Sequence, residues 1–295
     1  IESDKSFGDY SVNLNGESFN GHSFFAEIRR ETETWRSFVQ YKLLSDDFRS
    51  DMGFITKNDI KQYDFWHSFY QYPNKKYLQN YRVSFRHEQT YNTSEILRRS
   101  SSQLYLQFLT IGDTNVFYNY EYNWKKSHLE YKFEDFINHL LRIRGKPLSY
   151  LDFNFTYKFG KDIAYREVVP QLGYETNINF DIEFAINNNL RVKPIVSYQD
   201  IRKTDSKGYY FKGYISRLDI RYQFNNNLDI RLISEYNDFS EEFFIQPLVS
   251  WRPNPDTIFY LGGNQNYVNN FIDYNSPNYR INKTQLFLKF QYLIK

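Results

Sequence analysis

The chain has 295 residues, a formal net charge of +2 and no cysteine. The lack of cysteine excludes a disulfide framework, a thiolate metal site and a thiol nucleophile, and a near-neutral charge without a Lys/Arg run gives no basis for a nucleic-acid partner. The aromatic fraction is 20%, with 28 Tyr and 28 Phe, more than an ordinary globular core needs and suited to a protein with a large boundary between apolar surface and water.

No run of about 18 apolar residues is present, so no transmembrane helix is expected. The first residues, IESDKSFGDY, show no basic segment followed by an apolar stretch, and they already lie within a β-like pattern, as in a processed chain or an excised piece.

Alternation of apolar and polar residues recurs along almost the whole sequence and predicts about 16 strands. Their spans are 7–15, 21–31, 34–45, 54–72, 77–91, 100–111, 114–124, 128–138, 148–159, 171–186, 190–201, 208–224, 228–238, 241–252, 257–267 and 284–294. Without the eighth, an even count falls to about 14. The stretch Phe133–Arg144 (FEDFINHLLRIR) reads either as a helix or as a strand and a turn. One set of connections is short: Glu31–Glu33, Pro73–Lys76, Gly112-Asp113, Asn187–Asn189, Asn225–Asn227 and Pro253–Asp256. These are Asn, Asp, Gly and Pro turns, suited to tight hairpins. Several alternate connections are longer, at 46–53, 92–99, 160–170, 202–207 and 268–283, while those near 125–127 and 239–240 are short. Tight turns at one end of a sheet and longer loops at the other are the pattern of transmembrane β-barrels.

The hairpin around Asn225–Asn227 shows the two faces clearly. Leu218, Ile220, Tyr222 and Phe224 alternate with Arg217, Asp219, Arg221 and Gln223, and Leu228, Ile230 and Leu232 follow against Asp229, Arg231 and Glu235. A simple register sets Arg217 opposite Glu235, Arg221 opposite Arg231 and, in the preceding hairpin, Glu183 opposite Lys193. The like-charged pair requires water, a counterion or an acidic neighbour. Strands of ten or more residues exceed the usual length of about 5–6 in a soluble sandwich and match the 9–11 tilted residues that cross a bilayer.

The expected fold is all-β: an antiparallel transmembrane β-barrel of about 16 strands forming one domain over residues 1–295, with 14 strands or part of a larger barrel as alternatives, and a soluble β-protein as the competing class. Lipid would cover the apolar positions. The candidate lumen residues are Glu175, Asp181, Glu183, Arg191 and Lys193, then Arg217, Asp219, Arg221, Asp229, Arg231 and Glu235, and Lys289 in the last strand. Tyr222, Phe224, Trp251, Phe290 and Tyr292 are candidates for the interfacial aromatic belt. In TQLFLKFQYLIK, Leu286, Leu288, Phe290, Tyr292 and Ile294 face away from Phe287, Lys289 and Gln291. Such a C-terminal strand resembles the assembly signal of bacterial outer-membrane proteins, with Lys295 in place of the usual terminal aromatic.

Three segments, DDFRSDMGFITKND (46–59), WRPNPDTIFYL (251–261) and TQLFLKFQYLI (284–294), together resemble the C-terminal barrel region of a largely uncharacterised family of Bacteroidota outer-membrane proteins. The similarity runs from about residue 22 to the end of the chain. Members of that family often carry an N-terminal module similar to a family-nine carbohydrate-binding domain, which has no counterpart in this sequence, and they use more strands upstream. The resemblance implies a bacterial outer-membrane location and a sugar-related role, and it supplies no catalytic residues.

The histidines His22, His67, His87, His128 and His139 lack metal-ligand spacing, so neither a metal nor a cofactor is expected. His87-Glu88 and Ser100–Ser102 fall near one predicted strand end and are the material for a barrel-rim hydrolase, an alternative to the reading of the chain as a non-enzyme. Gly262-Gly263 reads as a strand bend. The leading expectation is passage of small polar solutes through a water-filled lumen, with oligosaccharides suggested by the resemblance alone. Mixed charge argues against strong ion selectivity. The second expectation is a plugged barrel serving as a subunit of a larger envelope assembly. Expected partners are outer-membrane lipid, other envelope proteins and oligosaccharide, with no nucleic acid.

Overall fold

The computed structural model describes residues 6–7, 10–11, 20–48, 58–128, 130–205, 207–269 and 279–293. Alternation becomes strand nearly throughout. The strands are β1 (Ser6–Phe7), β2 (Tyr10–Ser11), β3 (Ser23–Glu31), β4 (Trp35–Leu44), β5 (Ile60–Gln71), β6 (Leu78–Tyr91), β7 (Leu97–Thr110), β8 (Asn115–His128), β9 (Tyr131–Leu148), β10 (Leu151–Ala164), β11 (Gln171–Ala185), β12 (Leu190–Lys203), β13 (Tyr209–Asn225), β14 (Leu228–Asn237), β15 (Glu242–Asn254), β16 (Thr257–Asn269) and β17 (Tyr279–Tyr292). A single 3-10 turn, Ile111–Asp113, is the only helical element among the described residues.

Fifteen of these strands, β3 to β17, form one antiparallel sheet in strict chain order. The all-β antiparallel expectation is met in that form. Among the described residues no ladder joins β3 to β17. The strand expected at 7–15 lies mostly outside the described residues, and its described part belongs to a separate two-residue ladder between β1 and β2.

Phe133–Arg144 lies wholly within β9, an 18-residue strand, so the helical alternative does not occur. Phe133 and Phe136 are both buried despite their helix-like spacing of three. Between them Asp135 sits at a φ of 51°, and an irregular residue of this kind shifts the alternation by one place. That shift is what imitates a helical period. The strand then continues to a two-residue turn at Ser149-Tyr150, a hairpin the alternation alone did not reveal.

Connections at one end are tight, as at 32–34, 149–150, 226–227 and 255–256, whereas the other end carries the connections 45–59, 165–170 and 270–278. The asymmetry expected from sequence is present in part: only two residues separate β8 from β9 at the long-loop end, and six separate β5 from β6 at the tight end. Two ladders are interrupted at a proline. Pairing of β11 with β12 skips from Asp181↔Ile195 to Phe184↔Val192 around Pro194, and pairing of β15 with β16 skips from Ile245↔Gln265 to Leu248↔Gly262 around Pro247. Proline has no N–H to give to a ladder.

The chain divides into two compact units, residues 1–108 with 118–139, and residues 109–117 with 140–295. Each has a polar and an apolar face. In the first, Asp64 lies opposite Gln40 and Glu88, and Ser68 opposite Ser84, while Val39, Phe65 and Phe85 occupy the other face. In the second, Arg217 lies opposite Glu235, and Leu218 lies opposite Pro194 on the other face. Burial is the reverse of a soluble protein's. In the first unit Ser68 is 0% exposed and Asp64 5%, whereas Val39 is 55% and Trp124 53% exposed. In the second, Glu175 is 5% exposed and Leu288 74%. Across the described residues fifteen polar or charged side chains are buried and only seven apolar ones, so no ordinary hydrophobic core organises the sheet.

Candidate functional site

A buried carboxylate is stable only if paired and hydrogen-bonded. On the polar face of the first unit, Arg86 meets that demand. Its Nε and Nη2 donate to the two oxygens of Asp64 at 2.9 and 2.6 Å, a bidentate fork, and Nη2 lies 3.0 Å from Glu88. Arg99 continues the chain of charges at 3.5 Å from Glu88 and 3.3 Å from Glu121, which also accepts from Gln103 Nε2 at 3.0 Å. Ser68 and Ser84 share a 2.7 Å hydrogen bond, and Asn123 donates to Asn138 at 3.2 Å. Of these residues only Glu88 was singled out from sequence, beside His87 as material for a rim site and not as an ion-pair partner. Their signal was the same alternation that marked the later hairpins, with long side chains spaced two apart on β5, β6 and β7.

The second unit holds all twelve lumen candidates, and the strand registers place them on one polar face. Glu175 is buried beside Lys158 at 2.5 Å, and Lys158 also pairs with Asp162. Asp181 takes Lys193 at 3.2 Å and Asn154 at 3.0 Å, and Glu183 takes Arg191 at 3.5 Å. The inferred opposition of Glu183 and Lys193 thus resolves into two diagonal ion pairs. Arg217 is directly opposite Glu235, at 3.4 Å, and Arg221 directly opposite Arg231, as the sequence register required. Arg221 lies 3.5 Å from Asp219, and Asp229 pairs with Arg252 at 3.5 Å. Lys289 on β17 stands over the ring of Tyr260, 5.9 Å from its centroid. Three cavities open on this face, one of them, of about 810 Å³, beside Lys158, Asp162 and Glu175 at the loop end. Another of about 480 Å³ is lined by Glu183, Arg191, Lys193, Arg217, Asp219 and Arg221, and one of about 460 Å³ by Arg142, Arg144, Asp152 and Asp181 among others.

The apolar face is bordered by aromatic rows. In the second unit Trp251, Phe259 and Phe290 stack across β15, β16 and β17 at 5.2 and 4.9 Å, with Tyr222 and Phe224 in contact at 4.7 Å on β13. Tyr292 is 61% exposed on the same face as Phe290. All five aromatic candidates therefore occupy the turn end of the apolar face. A second row lies at the loop end, where Phe243 contacts Tyr267 at 6.0 Å. Phe243 and Trp251 are about 26 Å apart along β15 at a strand rise of about 3.3 Å per residue. In the first unit Phe24, Tyr41, Tyr63 and Tyr91 form the loop-end row at 5.0–6.1 Å spacings, and Trp35 and Phe69 meet at 4.5 Å at the turn end.

Three histidines also lie on the first unit's apolar face. His67 bonds Ser37 at 2.6 Å, His87 bonds Ser102 at 2.9 Å and His139 bonds Tyr118 at 2.7 Å. Ser102 also accepts from Trp124 Nε1 at 3.1 Å. His87 and Ser102 are thus brought together, a convergence the sequence did not reveal. The pairing recurs with Ser37 and with Tyr118, which marks it as the way this face satisfies polar side chains among apolar ones. Among the described residues no group of three His, Cys, Asp or Glu is placed to hold a metal ion.

At the loop end, outside the strands, Asp59 accepts from the Thr93 backbone N–H at 2.8 Å and hydroxyl at 2.5 Å, and it pairs with Arg98. Burial pushes its carboxyl up, but the Thr93 bonds and the Arg98 charge outweigh it and hold the group below its ordinary range. Lys61 pairs with Glu95 beside it, so one ion pair and the Thr93 hydrogen bonds tie the 92–96 loop to the start of β5. The chain matches no protein-family model and none of the curated proteins with which it was compared.

Proposed function

We propose that the sheet is the wall of a membrane-spanning β-barrel in a bacterial outer membrane, with its polar face on an aqueous lumen that passes small polar solutes. The observation that carries this reading is inverted burial within the interior strands: Val39, Leu218 and Leu261 are 55, 37 and 50% exposed on the apolar faces, while Asp64, Glu88 and Glu175 are 5, 8 and 5% exposed and ion-paired on the polar faces. An apolar face of this kind flanked by aromatic rows is stable against lipid and a liability in water. Lipid also forbids unpaired strand edges, so the sheet must close. Strict antiparallel order makes β3 and β17 run in the same direction. Fully antiparallel closure therefore requires one further strand, in keeping with the even count of about 16 that bacterial barrels favour. The resemblance to Bacteroidota outer-membrane proteins supports oligosaccharides as the solute class.

The cavities lined by Arg191, Lys193 and Arg217, and by Arg142 and Arg144, make the second unit's polar face the expected solute path. A second reading, a plugged structural barrel within a larger envelope assembly, is favoured by the first unit, where Ser68, Ser84, Ser101 and Asn123 are nearly inaccessible on the polar face. Single-channel recording in planar bilayers, after folding has been verified, separates the two. Discrete ohmic steps, with block by added oligosaccharide, are the expected result. Silence from inserted protein overturns passage and leaves the structural reading.

A further inference from the structure

Register gathers three arginines into one row. Arg191 of β12 is directly opposite Arg221 of β13, and Arg221 is directly opposite Arg231 of β14. Adjacent strands are only about 4.8 Å apart, and like charges facing each other destabilise an antiparallel pair. Elsewhere on this face Lys193 lies opposite Asp219 and Arg217 opposite Glu235, while the acidic Asp152 and Glu183 face each other on β10 and β11.

The available carboxylates satisfy the row poorly. Glu183 reaches Arg191, and Asp219 reaches Arg221, each at 3.5 Å, the outer limit of a useful contact. Arg231 makes no ion pair among the described residues, and its Nε is buried without a hydrogen-bond partner. Asp219 Oδ1, the oxygen 3.5 Å from Arg221 Nε, is itself buried without a hydrogen-bond donor, so the nearest carboxylate touches the row without a full pairing. Arg191 and Arg221 line the cavity of about 480 Å³ with Lys193 and Arg217, four cations against the three carboxylates Glu183, Asp219 and Glu235, and Arg231 follows Arg221 in the row outside that lining. A guanidinium is a rigid fork of donors matched to the oxygens of phosphate, sulfate or carboxylate.

We propose that the Arg191–Arg221–Arg231 row is a binding site for an oxyanion-bearing solute, which lies across β12, β13 and β14 and neutralises three guanidiniums that face each other. The site opens on the polar face, away from Leu218 and Tyr222, so the ligand comes from the aqueous phase rather than from lipid. An acidic sugar or a phosphorylated small molecule has the required group. The row gives an otherwise balanced polar face a local preference for anions.

The test uses the full chain folded in detergent micelles, so it reads the site whether or not the protein conducts. Thermal unfolding is followed against inorganic phosphate and pyrophosphate at constant ionic strength, with chloride as the reference salt. Saturable stabilisation of the unaltered protein is expected. Arg221→Gln and Arg231→Gln should weaken the apparent affinity about ten-fold or more, the worth of a lost charge-assisted hydrogen bond. Both variants should melt higher than the unaltered protein without phosphate at low salt, because repulsion in the row is relieved; this also shows that they fold. Arg221→Lys, which keeps charge and loses the fork, should fall between. Lys76→Gln, which removes a charge in the 72–77 turn, should leave the affinity unchanged. An effect reproduced by chloride, or equal affinities for the arginine variants and Lys76→Gln, overturns the site. Phosphate binding without conductance would sink solute passage and leave the site standing; conductance without phosphate binding would do the reverse.

Discussion

Arg86 holds two buried carboxylates at once, so its removal should be far more costly than the loss of an exposed ion pair. Arg86→Met keeps the aliphatic stem and deletes the charge. It would strand Asp64, 5% exposed, and Glu88, 8% exposed. Removing one partner of a buried pair costs about 3–5 kcal/mol. The Arg86 side chain is 33% exposed and Arg99 stands 3.5 Å from Glu88, so water and a second cation recover part of that loss. A loss of about 2–3 kcal/mol is expected after this discount. Pairing the change with Asp64→Leu removes the Arg86 and Asp64 charges and leaves Glu88 to Arg99 alone, so the double variant should recover about half of the loss. Denaturant unfolding of the protein in lipid vesicles, compared at constant slope, reads both values. A loss below about 0.5 kcal/mol for Arg86→Met, or a double variant as unstable as the sum of its singles, would refute the pairing of the polar face as a stabilising network.

Three other outcomes are expected. Leu232→Arg places a charge midway down the apolar face, opposite Pro247, and should cost about 2–4 kcal/mol of folding in bilayers; Gln246→Arg, on the polar face opposite Ile233, should cost much less, and equal costs would contradict the assignment of the faces. Asp59 has a lowered carboxyl pKa in the fold; its contribution is complete above the ordinary value of about 3.9 and is lost as pH falls through the lower folded value. Limited proteolysis should accordingly find the 92–96 loop opening in that acid window, with Asp59→Asn open at neutral pH as well. A methyl group at Gly213 would lie 2.6 Å from the Phe239 ring, so Gly213→Ala should destabilise by about 1–3 kcal/mol, and Phe239→Ala in the same molecule should remove most of that penalty in a double-mutant cycle.

The period-two alternation was enough to read β10 to β17, because each side chain's face follows from its parity along the strand. The opposition of Arg221 and Arg231 was legible for the same reason: three Asn between matched arms leave one simple register. The β9 region was not legible. A residue at positive φ, Asp135, broke the parity there and produced a spacing shared with helices. The ion-paired cluster of Asp64, Arg86, Glu88 and Arg99 escaped notice because it joins three strands whose mutual register no tight Asn turn announced. The diagonal pairing of Arg191 with Glu183 and Lys193 with Asp181 was hidden for another reason. Register fixes which backbone positions face each other, while long side chains choose partners two places away. His87 and Ser102 were noticed as residues, but only the sheet shows that they share the apolar face.

The opposite demands of the two faces set how freely each is able to change. A side chain on the polar face sits among fixed partners at fixed distances, and an altered shape leaves a donor unmet or a gap that neighbouring strands fill only in part. On the apolar face, Leu218, Leu261 or Leu288 meets a fluid in the proposed setting, and acyl chains flow into whatever volume a smaller residue vacates. The cavity term that penalises core truncations in water-soluble proteins then largely vanishes. Exchanges among Leu, Ile, Val and Phe should be close to neutral there, so the chain would drift rapidly on one face and hold still on the other. Sequence identity among its descendants would then fall quickly while the ion-pair grammar of alternate positions persisted.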